Sequence, residues 1–588
     1  MKHTHQLVTD VAVVGGGMAG VCAALAAARH GAKVVLTQDR PVLGGNSSSE
    51  IRVHVTGADC SGGRPHARES GILEELRLEE ATRNPQRAAT IWDLILWEAV
   101  TAEPNITLLL NTTLTGVTMR DAQLIDALHA SRESTQDRYQ IMATLFLDAT
   151  GDGRLGADAG ADFRYGREGA QEHDEPHAQG PDAKTMGCSI LWQARDMGQP
   201  MPFTPPPFAR LFETCDDLPH RSHTELCHGH WWIEYGGELS IIKDYELIRD
   251  ELLACMMGVW DHIKNRCSAV DATNWALTWF SCVPGKRESR RLLGDHILTE
   301  TDLLSCVQFP DAVCHGGWPI DTHPPGGIHS PEPPCDFIGT PDVYGIPLRC
   351  LYSRNVNNLL MAGRNASCTH MAMASTRVMA TCAVMGQAAG TAAALAIARR
   401  CHPRELAGSH IRELQQTLLR DDCYIPGVLP DDPLDILRDA TVTASSEADG
   451  SPAAAVRNGV NRAQPDSTNQ WASAPNQPLP QWLQFDLPRP RRVVQVHVTF
   501  DTGFARPLCL TQSDDFSNRM IRGPQPETVK SYRVEGQVDG EWQLLAAEGR
   551  NVQRKRVHRT DELVTALRLT VQETNGDEQA RVFEVRGY

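Results

Sequence analysis

The sequence predicts an α/β domain followed by an all-β sandwich, and two observations support this order. A glycine triplet, Gly15-x-Gly17-x-x-Gly20, separates the apolar run at residues 11–14 from an alanine-rich stretch. This pattern is typical of a strand, a tight turn and a helix. From residue 440 onward, short runs with a period of two residues alternate with turn residues, as they do in β-sandwiches.

Each glycine of the triplet has its own physical task. Gly15 allows the tight turn, Gly17 lets a phosphate approach the backbone, and Gly20 lets the helix pack closely on the strand. The helix predicted from Met18 to His30 would point free N–H groups, among them those of Met18 and Ala19, and a positive dipole end at a pyrophosphate. The segment therefore predicts a dinucleotide site.

The second strand of this unit, residues 33–37, ends at Gln38. Dinucleotide sites usually carry Asp or Glu here to hydrogen-bond a ribose hydroxyl. A glutamine amide can make the same bond as a neutral group. Asp39 would point to the opposite face of the strand. Arg40 would suit the 2′-phosphate of NADP, but the residues that follow favour a different dinucleotide.

The segment DRPVLGGNSSSEIR, residues 39–52, resembles the continuation of the dinucleotide fold in FAD-dependent oxidoreductases of the glutathione-reductase type. The resemblance implies that Gly44 and Gly45, with Asn46 and Ser47, lie along the FAD diphosphate. The sequence of this segment is similar to that of a bacterial subfamily of FAD-dependent oxidoreductases, some of which are labelled xanthan lyases. In that subfamily Gln commonly replaces the acidic ribose ligand, which implies that role for Gln38.

Two distant segments carry the same resemblance. LFLDATGDGRLG, residues 145–156, resembles the return of the chain to the flavin, and residues 357–396 resemble the closing FAD motif with a helix from about Arg377. That helix could also be a packed core helix or a membrane helix, but Arg377 and Gln387 interrupt its apolar run and it is too short to span. The full set of predicted FAD contacts is Gly15, Gly17, Met18, Ala19, Gly20, Gln38, Asp39, Arg40, Gly44, Gly45, Asn46, Ser47, Leu114, Ala149, Gly151, Asp152, Gly363, Arg364, Arg377 and Gln387.

Composition excludes several classes of function. The chain has 588 residues, is 41% hydrophobic and carries a net charge of −17. This acidity argues against a nucleic-acid surface, which needs a basic stripe. The first apolar run is already the cofactor strand, so we expect no signal peptide, no membrane span and a cytoplasmic protein. The 17 cysteines form no CxxC pair, which indicates scattered thiols without the redox-active disulfide of thiol reductases.

The C-terminal part carries a second resemblance. Residues 421–446 are rich in proline and aspartate, as in a linker. Residues 440–500 resemble a discoidin, or F5/8 type C, jelly roll, a fold shared by many carbohydrate-binding modules. Trp471 and Trp482 fit core positions better than sugar-stacking positions. The long segment 504–527 is predicted to dock on the flavin domain of its own or another subunit.

These patterns divide the chain into five parts. The fold predicted is a glutathione-reductase-type α/β FAD fold with an inserted α+β substrate domain and a C-terminal jelly-roll sandwich. The predicted segments are 1–160 for the first part of the FAD domain, 161–345 for the substrate domain, 346–400 for the closing FAD part, 401–439 for a helical segment and linker, and 440–588 for the sandwich.

Candidate catalytic residues come from three places. Glu288 and Arg290 lie in the charged string KRESRR, which would hold a carboxylate or the anionic flavin edge, or would simply be a solvated surface run. His370 precedes the closing flavin helix, while Arg52 and His54 follow the second glycine pair on what is predicted to be one face of a strand. A histidine beside a flavin could move a proton.

The sequence also gives expectations about metal binding and about function. CHGHWW, residues 227–232, lacks a second ligand pair, so no metal site is predicted. We expect hydride transfer between flavin N5 and a small polar substrate of the sugar or sugar-derivative class. The alternatives are a redox-neutral flavin-dependent lyase or hydrolase, and a carbohydrate-binding protein with an inert flavin. No nucleic-acid or membrane partner is expected, and a homo-oligomer is left open.

Overall fold

The computed structural model describes residues 4–58 and 64–588. The helices, in chain order, are α1 (Met18–Arg29), α2 (Ile72–Arg83), α3 (Ala89–Thr101), α4 (Arg154–Asp158), α5 (Ala170–His173), α6 (Tyr245–Asn265), α7 (Glu300–Leu304), α8 (His370–Thr376), α9 (Met379–Arg399), α10 (Pro403–Ser409), α11 (Ile411–Arg420) and α12 (Asp514–Ser517).

The strands begin with those of the N-terminal region: β1 (Thr4–Val14), β2 (Val34–Thr37), β3 (Ile106–Leu109), β4 (Thr113–Asp121), β5 (Leu124–Arg132), β6 (Asp137–Asp148), β7 (Phe163–Arg164), β8 (Cys188–Ser189), β9 (Trp192–Asp196), β10 (Glu234–Tyr235), β11 (Trp275–Phe280), β12 (Gly285–Lys286), β13 (Arg291–Leu292), β14 (Ala312–Gly316), β15 (Ile320–Thr322), β16 (Asp336–Ile338), β17 (Tyr344–Pro347) and β18 (Leu359–Met361). The later strands are β19 (Thr441–Ala444), β20 (Trp471–Ala472), β21 (Gln481–Phe500), β22 (Val529–Val538), β23 (Glu541–Glu548), β24 (Lys555–Thr574) and β25 (Arg581–Gly587).

The described chain divides into two compact units. The first comprises Met1–Ala58, Arg87–Leu414 and Leu510–Ser517, and the second comprises Asp59–Gln86, Gln415–Cys509 and Asn518–Tyr588. Two short segments therefore belong to a different unit from the residues that flank them in sequence. The sequence division placed Asp59–Gln86 in the FAD domain, whereas the structure groups it with the C-terminal unit.

The first unit is built on a mixed sheet in the order β3-β2-β1-β6-β5-β4, with β18 also beside β6. The pairs β3–β2, β2–β1, β1–β6 and β6–β18 are parallel, and β4 and β5 are antiparallel additions. Parallel strands β1, β6 and β18 all end at one edge, which is where α/β sheets bind ligands. The predicted α/β class is confirmed.

Helices α1 and α9 pack unusually closely on each other. A Cβ on Gly386 would lie 2.1 Å from the carbonyl oxygen of Ala19, and one on Gly390 would lie 2.1 Å from that of Ala23. Helix α9 is long and apolar enough to cross a membrane, but 89% of its apolar window is buried inside the structure. It is therefore a core helix, one of the alternatives that the sequence left open, although the expectation that it is too short to span a membrane was wrong.

We expect Gly390→Ala to destabilise the first unit, because the added methyl group meets backbone that cannot rotate away. Overpacking of this kind costs about 1–3 kcal/mol, measurable as a lower midpoint in urea unfolding. Gly408→Ala in α10 is the matched control, since its Cβ would meet nothing within 4 Å. Equal stability of the two variants would contradict the close packing of α1 and α9.

The region between the flavin segments consists of short antiparallel strand pairs around α6. Strands β10, β8 and β12 form one small sheet, and β11 pairs with β9. One face of α6 packs with Trp192, Trp232 and Ile233 into a separate hydrophobic core. This region has the α+β character that was predicted for the insert.

The second unit is antiparallel throughout its main sheet, which runs β20-β25-β21-β24-β22-β23 with β19 beside β21. Its core contains Trp471, which is fully buried. Trp482 is only half-buried, and Arg568 stands 5.1 Å from its ring. The arrangement is consistent with the predicted sandwich.

Buried charges explain why α2 belongs to the second unit. Arg68 donates to both oxygens of Glu74, at 3.0 and 2.7 Å, and Thr502 donates to the same carboxylate at 2.8 Å. Arg462 donates to the carbonyl oxygen of Arg68 at 2.9 Å. A sequence reading of apolar patterns could not find this contact, because it is made by charged side chains.

Candidate active site

A cavity of about 550 Å³ lies at the carboxyl ends of β1, β2 and β6. The first glycine turn and the N-terminus of α1 form one wall. The first intrahelical hydrogen bond runs from the amide of Val21 to the carbonyl of Gly17, so the amides of Met18 and Ala19 precede it. These amides and the positive end of the helix dipole favour an anion at this wall.

Gly17 tests whether this cavity fits the dinucleotide that the sequence implies. Its backbone is extended, with φ of −69°, so any L-residue could adopt the conformation. A Cβ on Gly17 would meet only the Cα of Gly45, at 3.9 Å. No described protein atom therefore requires glycine here, but a phosphate lying against the backbone would. The cradle fits a pyrophosphate, as FAD carries.

Gln38 joins the two glycine turns. Its Oε1 accepts the amide N–H of Gly16 at 2.8 Å, and its Nε2 donates to the carbonyl oxygen of Val42 at 3.2 Å. A carboxylate could not make the second bond. Because a primary amide has two N–H groups, one remains for a ligand. The ribose contact of Gln38 stays a prediction. In the structure, the amide also holds Gly16 and Val42 together.

Most of the predicted cofactor residues line this cavity: Gly15, Gly17, Met18, Ala19, Gln38, Asp39, Arg40, Gly44, Gly45, Asn46, Leu114, Ala149, Gly151, Asp152, Gly363, Arg364 and Arg377. Three do not. Gly20 faces the carbonyl of Gly15, from which its Cβ would lie 1.8 Å away. The hydroxyl of Ser47 donates to the carbonyl of Gly44 and accepts from the indole of Trp92. Gln387 is buried within α9.

Sequence reasoning missed several residues that line the same cavity. Four are threonines next to the ends of strands, namely Thr37, Thr112, Thr113 and Thr150. Their positions at the ligand-binding edge of the sheet were the available signal. The others include Arg154, Asp158, Ile242, Met379 and Cys382, for which no local pattern points to the cavity.

Asp152 stands at the centre of a charged group in this cavity. It pairs with Lys286 and accepts from the hydroxyl of Ser289 at 2.8 Å and from Arg364 at 3.3 Å. Burial opposes its ionisation, but the charges of Lys286 and Arg364 outweigh burial and lower the pKa of Asp152. Because its oxygens are engaged by protein donors, Asp152 also fixes the positions of the two cations.

A second cavity, of about 320 Å³, adjoins the first. The two share five lining residues: Asn46, Lys286, Arg364, Arg377 and Met379. A molecule in the second cavity would therefore stand next to whatever occupies the first. Its other walls carry aromatic, charged and hydroxyl groups, which suit a polar ligand with apolar faces.

Three buried donors in this region have no hydrogen-bond partner among the described residues. They are the indole Nε1 of Trp318, Nη1 of Arg364 and Nε of Arg377. Leaving a buried donor unsatisfied costs about 1–3 kcal/mol. All three residues line the second cavity, and two of them line the first as well. Donors of this kind indicate a ligand that supplies acceptor oxygens.

A charged relay forms one wall of the second cavity. The Nδ1 of His323 lies 2.7 Å from Glu234, and its Nε2 lies 3.0 Å from Nη2 of Arg377 and 3.3 Å from Asp321. Arg377 also donates to Asp321 at 3.0 Å. Arg287 makes an ion pair with Glu234 at 3.3 Å. The imidazole is thus fixed between two carboxylates.

Both carboxylates of the relay stay ionised. Burial opposes the charge of Glu234, but Arg287 and His323 lower its pKa. For Asp321, burial is outweighed by the hydrogen bond from His323 and by the charge of Arg377, so its pKa is also lowered. Two ionised carboxylates therefore face the ring nitrogens of His323.

His54 and Arg52 do not have the arrangement predicted for them. Residues 52–57 form no strand in the described chain, and Arg52 has φ of +65°, which breaks the expected alternation. Arg52 lies 3.7 Å over the ring of Trp279, outside both cavities. His54 does line the second cavity. Burial and, to a lesser extent, His228 lower the pKa of His54 to about 3, which makes it a weak base.

His370, Glu288 and Arg290 also differ from expectation. The Nδ1 of His370 lies 2.9 Å from fully buried Glu288, and His370 lines neither of the two cavities. Glu288 also pairs with Arg291 and accepts the amide N–H of Met186 at 2.9 Å. Burial opposes the charge of Glu288, but His370 and Arg291 lower its pKa. Arg290 lines the first cavity, where a cofactor rather than a substrate is expected.

We expect Glu288→Ala to destabilise the protein, because it leaves Arg291 and His370 without their shared buried partner. Breaking one side of a buried ion pair costs about 3–5 kcal/mol, which denaturant unfolding would measure. Glu238→Ala is the matched control, since Glu238 makes an exposed pair with Lys184 and exposed pairs contribute about 0–1 kcal/mol. A stable, inactive Glu288→Ala variant would instead assign this residue to the chemistry.

The segment Leu510–Ser517 belongs to the first unit, which carries the glycine turns. This agrees with the docking on the flavin domain that was predicted for the long segment 504–527. The hydroxyl of Thr511 lies 3.2 Å from Nε2 of His54, and Gln512 donates to the carbonyl of Arg87 at 3.0 Å. Phe516 stacks on His54 with ring centroids 6.3 Å apart. The segment therefore packs against His54, which lines the second cavity.

Comparisons with known proteins give one family. No curated protein matches the chain. Similar solved structures include a family 32 carbohydrate-binding module of C. perfringens NanJ in complex with galactose, with 16% identity, 26% of this chain and 96% of that chain covered and a TM-score of 0.20. Another is the family 32 carbohydrate-binding module of Streptococcus pneumoniae EndoD, with 19% identity, 26% and 98% coverage and a TM-score of 0.21.

With TM-scores this low, the solved structures carry no argument about this chain. The family match is broader, because the model of the FAD dependent oxidoreductase family matches residues 10–418. This interval contains the glycine cradle, the charged group around Asp152 and both cavities. The chain belongs to the FAD-dependent oxidoreductase family and is an enzyme that uses FAD.

Proposed function

We propose that this enzyme oxidises a hydroxyl-bearing polar molecule, of the sugar or sugar-derivative class, in the cavity that adjoins its FAD site. The observation that carries the proposal is the shared lining of the two cavities by Asn46, Lys286, Arg364, Arg377 and Met379. A substrate carbon held there would lie beside the cofactor, as hydride transfer requires.

FAD supplies a two-electron acceptor for the hydride. The protein has to remove the hydroxyl proton, and His323 is the group best placed to do so. Glu234 holds its Nδ1, so Nε2 would be the atom that takes the proton, once the hydrogen bond that it accepts from Arg377 opens. Arg377 and Asp321 lie within 3.3 Å of that atom. Arg377 would stabilise an alkoxide as the proton leaves.

The substrate class follows from the walls of the second cavity. Trp231, Trp318 and Phe337 offer aromatic faces, and Ser189, Asp321 and Arg287 offer polar groups between them. Sugars present this combination of apolar ring faces and hydroxyl edges. The free indole N–H of Trp318 would bind a hydroxyl oxygen. A flat hydrophobic ligand would leave these buried polar groups unsatisfied, at a cost to affinity.

The test is anaerobic stopped-flow measurement of flavin absorbance against a panel of aldoses, sugar acids, polyols and glycosides. We expect at least one sugar to bleach the flavin with a rate that saturates with concentration. Trp318→Phe keeps the aromatic face but removes the indole N–H, so it should raise the concentration needed for half-saturation. Bleaching by apolar alcohols but by no sugar would contradict the proposal.

The same experiment separates net oxidation from the redox-neutral alternative. Net oxidation predicts one bleaching event per flavin when no electron acceptor is present. Sustained conversion of a glycoside without acceptor, with the flavin oxidised again at the end, would instead assign the enzyme to cleavage. The described cysteines are all free thiols, and none of them forms a disulfide that could carry electrons away.

A further inference from the structure

Four potential metal ligands meet at one end of α6, outside both cavities. They are Cys215, His223, His262 and Cys267, and their ligand atoms all lie within 4.8 Å of one another. His223 and His262 are buried, whereas the two cysteines are more accessible. Nothing in the proposed chemistry uses them.

The distances between these ligand atoms match the edges of a tetrahedron around a zinc ion. Sγ of Cys215 lies 3.6 Å from Nε2 of His223, 3.5 Å from Nε2 of His262 and 3.9 Å from Sγ of Cys267. Sγ of Cys267 lies 3.3 Å from Nε2 of His223. Zinc bonds of about 2.3 Å to sulfur and about 2.0–2.1 Å to nitrogen give S···S and S···N edges of roughly 3.8 and 3.6 Å in a tetrahedron.

Both imidazole rings are oriented for ligation by bonds on their far side. Nδ1 of His223 lies 2.9 Å from the carbonyl oxygen of Arg221, and Nδ1 of His262 lies 3.0 Å from that of Phe212. A carbonyl only accepts, so each Nδ1 carries the proton and each Nε2 is a lone pair directed at the cluster. Metal-ligating histidines are held in this way.

We propose that Cys215, His223, His262 and Cys267 bind one structural Zn²⁺ ion. Four protein ligands close the tetrahedron and leave no position for substrate or water, which distinguishes a structural from a catalytic zinc. Two thiolates and two imidazoles also favour Zn²⁺ over Mg²⁺ or Ca²⁺, which prefer oxygen. The spacing C-x₇-H and H-x₄-C, with the pairs far apart in sequence, explains why no metal was predicted.

The zinc would tether a segment that has little structure of its own. Between β9 and β10, the described residues 197–233 contain the short 3-10 turn Cys215–Asp217 and an isolated bridge from His228 to Gln193, but no helix or strand. Loops this long are uncommon in compact domains unless something fixes them. Two ligands lie in this segment, and the other two lie on or just after α6. The same segment supplies His228 and Trp231 to the second cavity, so the ion would help to hold that wall.

Two other clusters provide internal comparisons. Glu251, Cys255 and His329 form one, and Glu225, Cys227 and His228 form the other. Each has three potential ligands of mixed type rather than four. His329 is exposed and pairs with Glu251 at 3.3 Å, an ordinary surface contact. We therefore assign zinc to the four-ligand cluster alone.

The test is metal analysis by mass spectrometry of the full-length protein, purified under reducing conditions and passed through metal-depleted buffer. We expect about one zinc per chain. The double variant C215S/C267S and the single variant H223Q should lose it. H329Q and C282S are the matched controls, and both should keep it. The measurement does not depend on flavin reduction or on substrate.

Limited proteolysis of the wild-type protein covers the case in which a variant fails to fold. Removal of zinc by a strong chelator should open new cleavage sites within residues 203–233, and added Zn²⁺ should close them again. Three results would overturn the proposal: no bound metal even after incubation with Zn²⁺, zinc retained by C215S/C267S, or a Cys215–Cys267 disulfide in the reduced preparation.

Discussion

Gly17→Val is expected to abolish retention of FAD while the protein stays folded. The Cβ of residue 17 would meet no protein atom closer than 3.9 Å, and φ of −69° is acceptable for valine. The isopropyl group would instead occupy the space in which a phosphate approaches the backbone. We expect FAD affinity to fall by roughly 100-fold or more, equivalent to about 2.7 kcal/mol, as measured by flavin content and by titration of the apoprotein.

Gly116→Val in β4 provides the matched control. A Cβ at this position also meets nothing within 4 Å, and β-branched residues suit a strand. This variant should bind FAD like the wild type, with a similar unfolding midpoint. If Gly17→Val retains FAD as tightly as Gly116→Val does, the diphosphate does not lie on this turn.

His323→Gln is expected to slow flavin reduction by the substrate by about 10²–10⁴-fold, the range that general-base catalysis contributes. Glutamine can still hydrogen-bond Glu234 and Arg377, but it cannot accept a proton at neutral pH. FAD content should be unchanged, because His323 does not line the FAD cavity. The loss should be in the limiting rate of bleaching rather than in the half-saturating concentration.

His54→Gln makes the same change elsewhere in the same cavity. Because burial lowers the pKa of His54 to about 3, this residue is a poor base, and we expect a much smaller loss than in His323→Gln, from altered positioning alone. His129→Gln, in β5, should leave the rate unchanged. A larger loss in His54→Gln than in His323→Gln would reverse the roles assigned to the two histidines.

The FAD half of the site could be predicted from the sequence because its signals are local. Gly15, Gly17 and Gly20 stand between a strand and a helix in one continuous segment, and their spacing follows from the geometry of that turn. The small residues of α9 likewise predict close packing. In the structure, Gly386 and Gly390 lie against the backbone of α1. Patterns of this kind depend on neighbours in the chain and survive without the tertiary structure.

His54 was among the candidates from the sequence, but the assembly of the substrate half could not be predicted because distant segments form it. His54, Trp231 and His323 reach one cavity from three separate parts of the chain, and no periodicity links them. His370 was misleading for a related reason. Its position before a flavin-proximal helix was correct, but its ring pairs with the buried carboxylate of Glu288, 82 residues away, and it lines neither the cofactor cavity nor the adjoining one. The cluster of Cys215, His223, His262 and Cys267 could not be predicted for the same reason, because its two halves are far apart in sequence.

The most direct test of the whole account is a crystal structure of the enzyme with FAD and a slowly reacting sugar analogue. We expect the diphosphate against the amides of Met18 and Ala19, and the analogue beside Trp318 and His323 with a hydroxyl near Nε2 of His323. A sugar found away from the shared wall formed by Arg364 and Arg377, or an FAD diphosphate found away from Gly17, would contradict it.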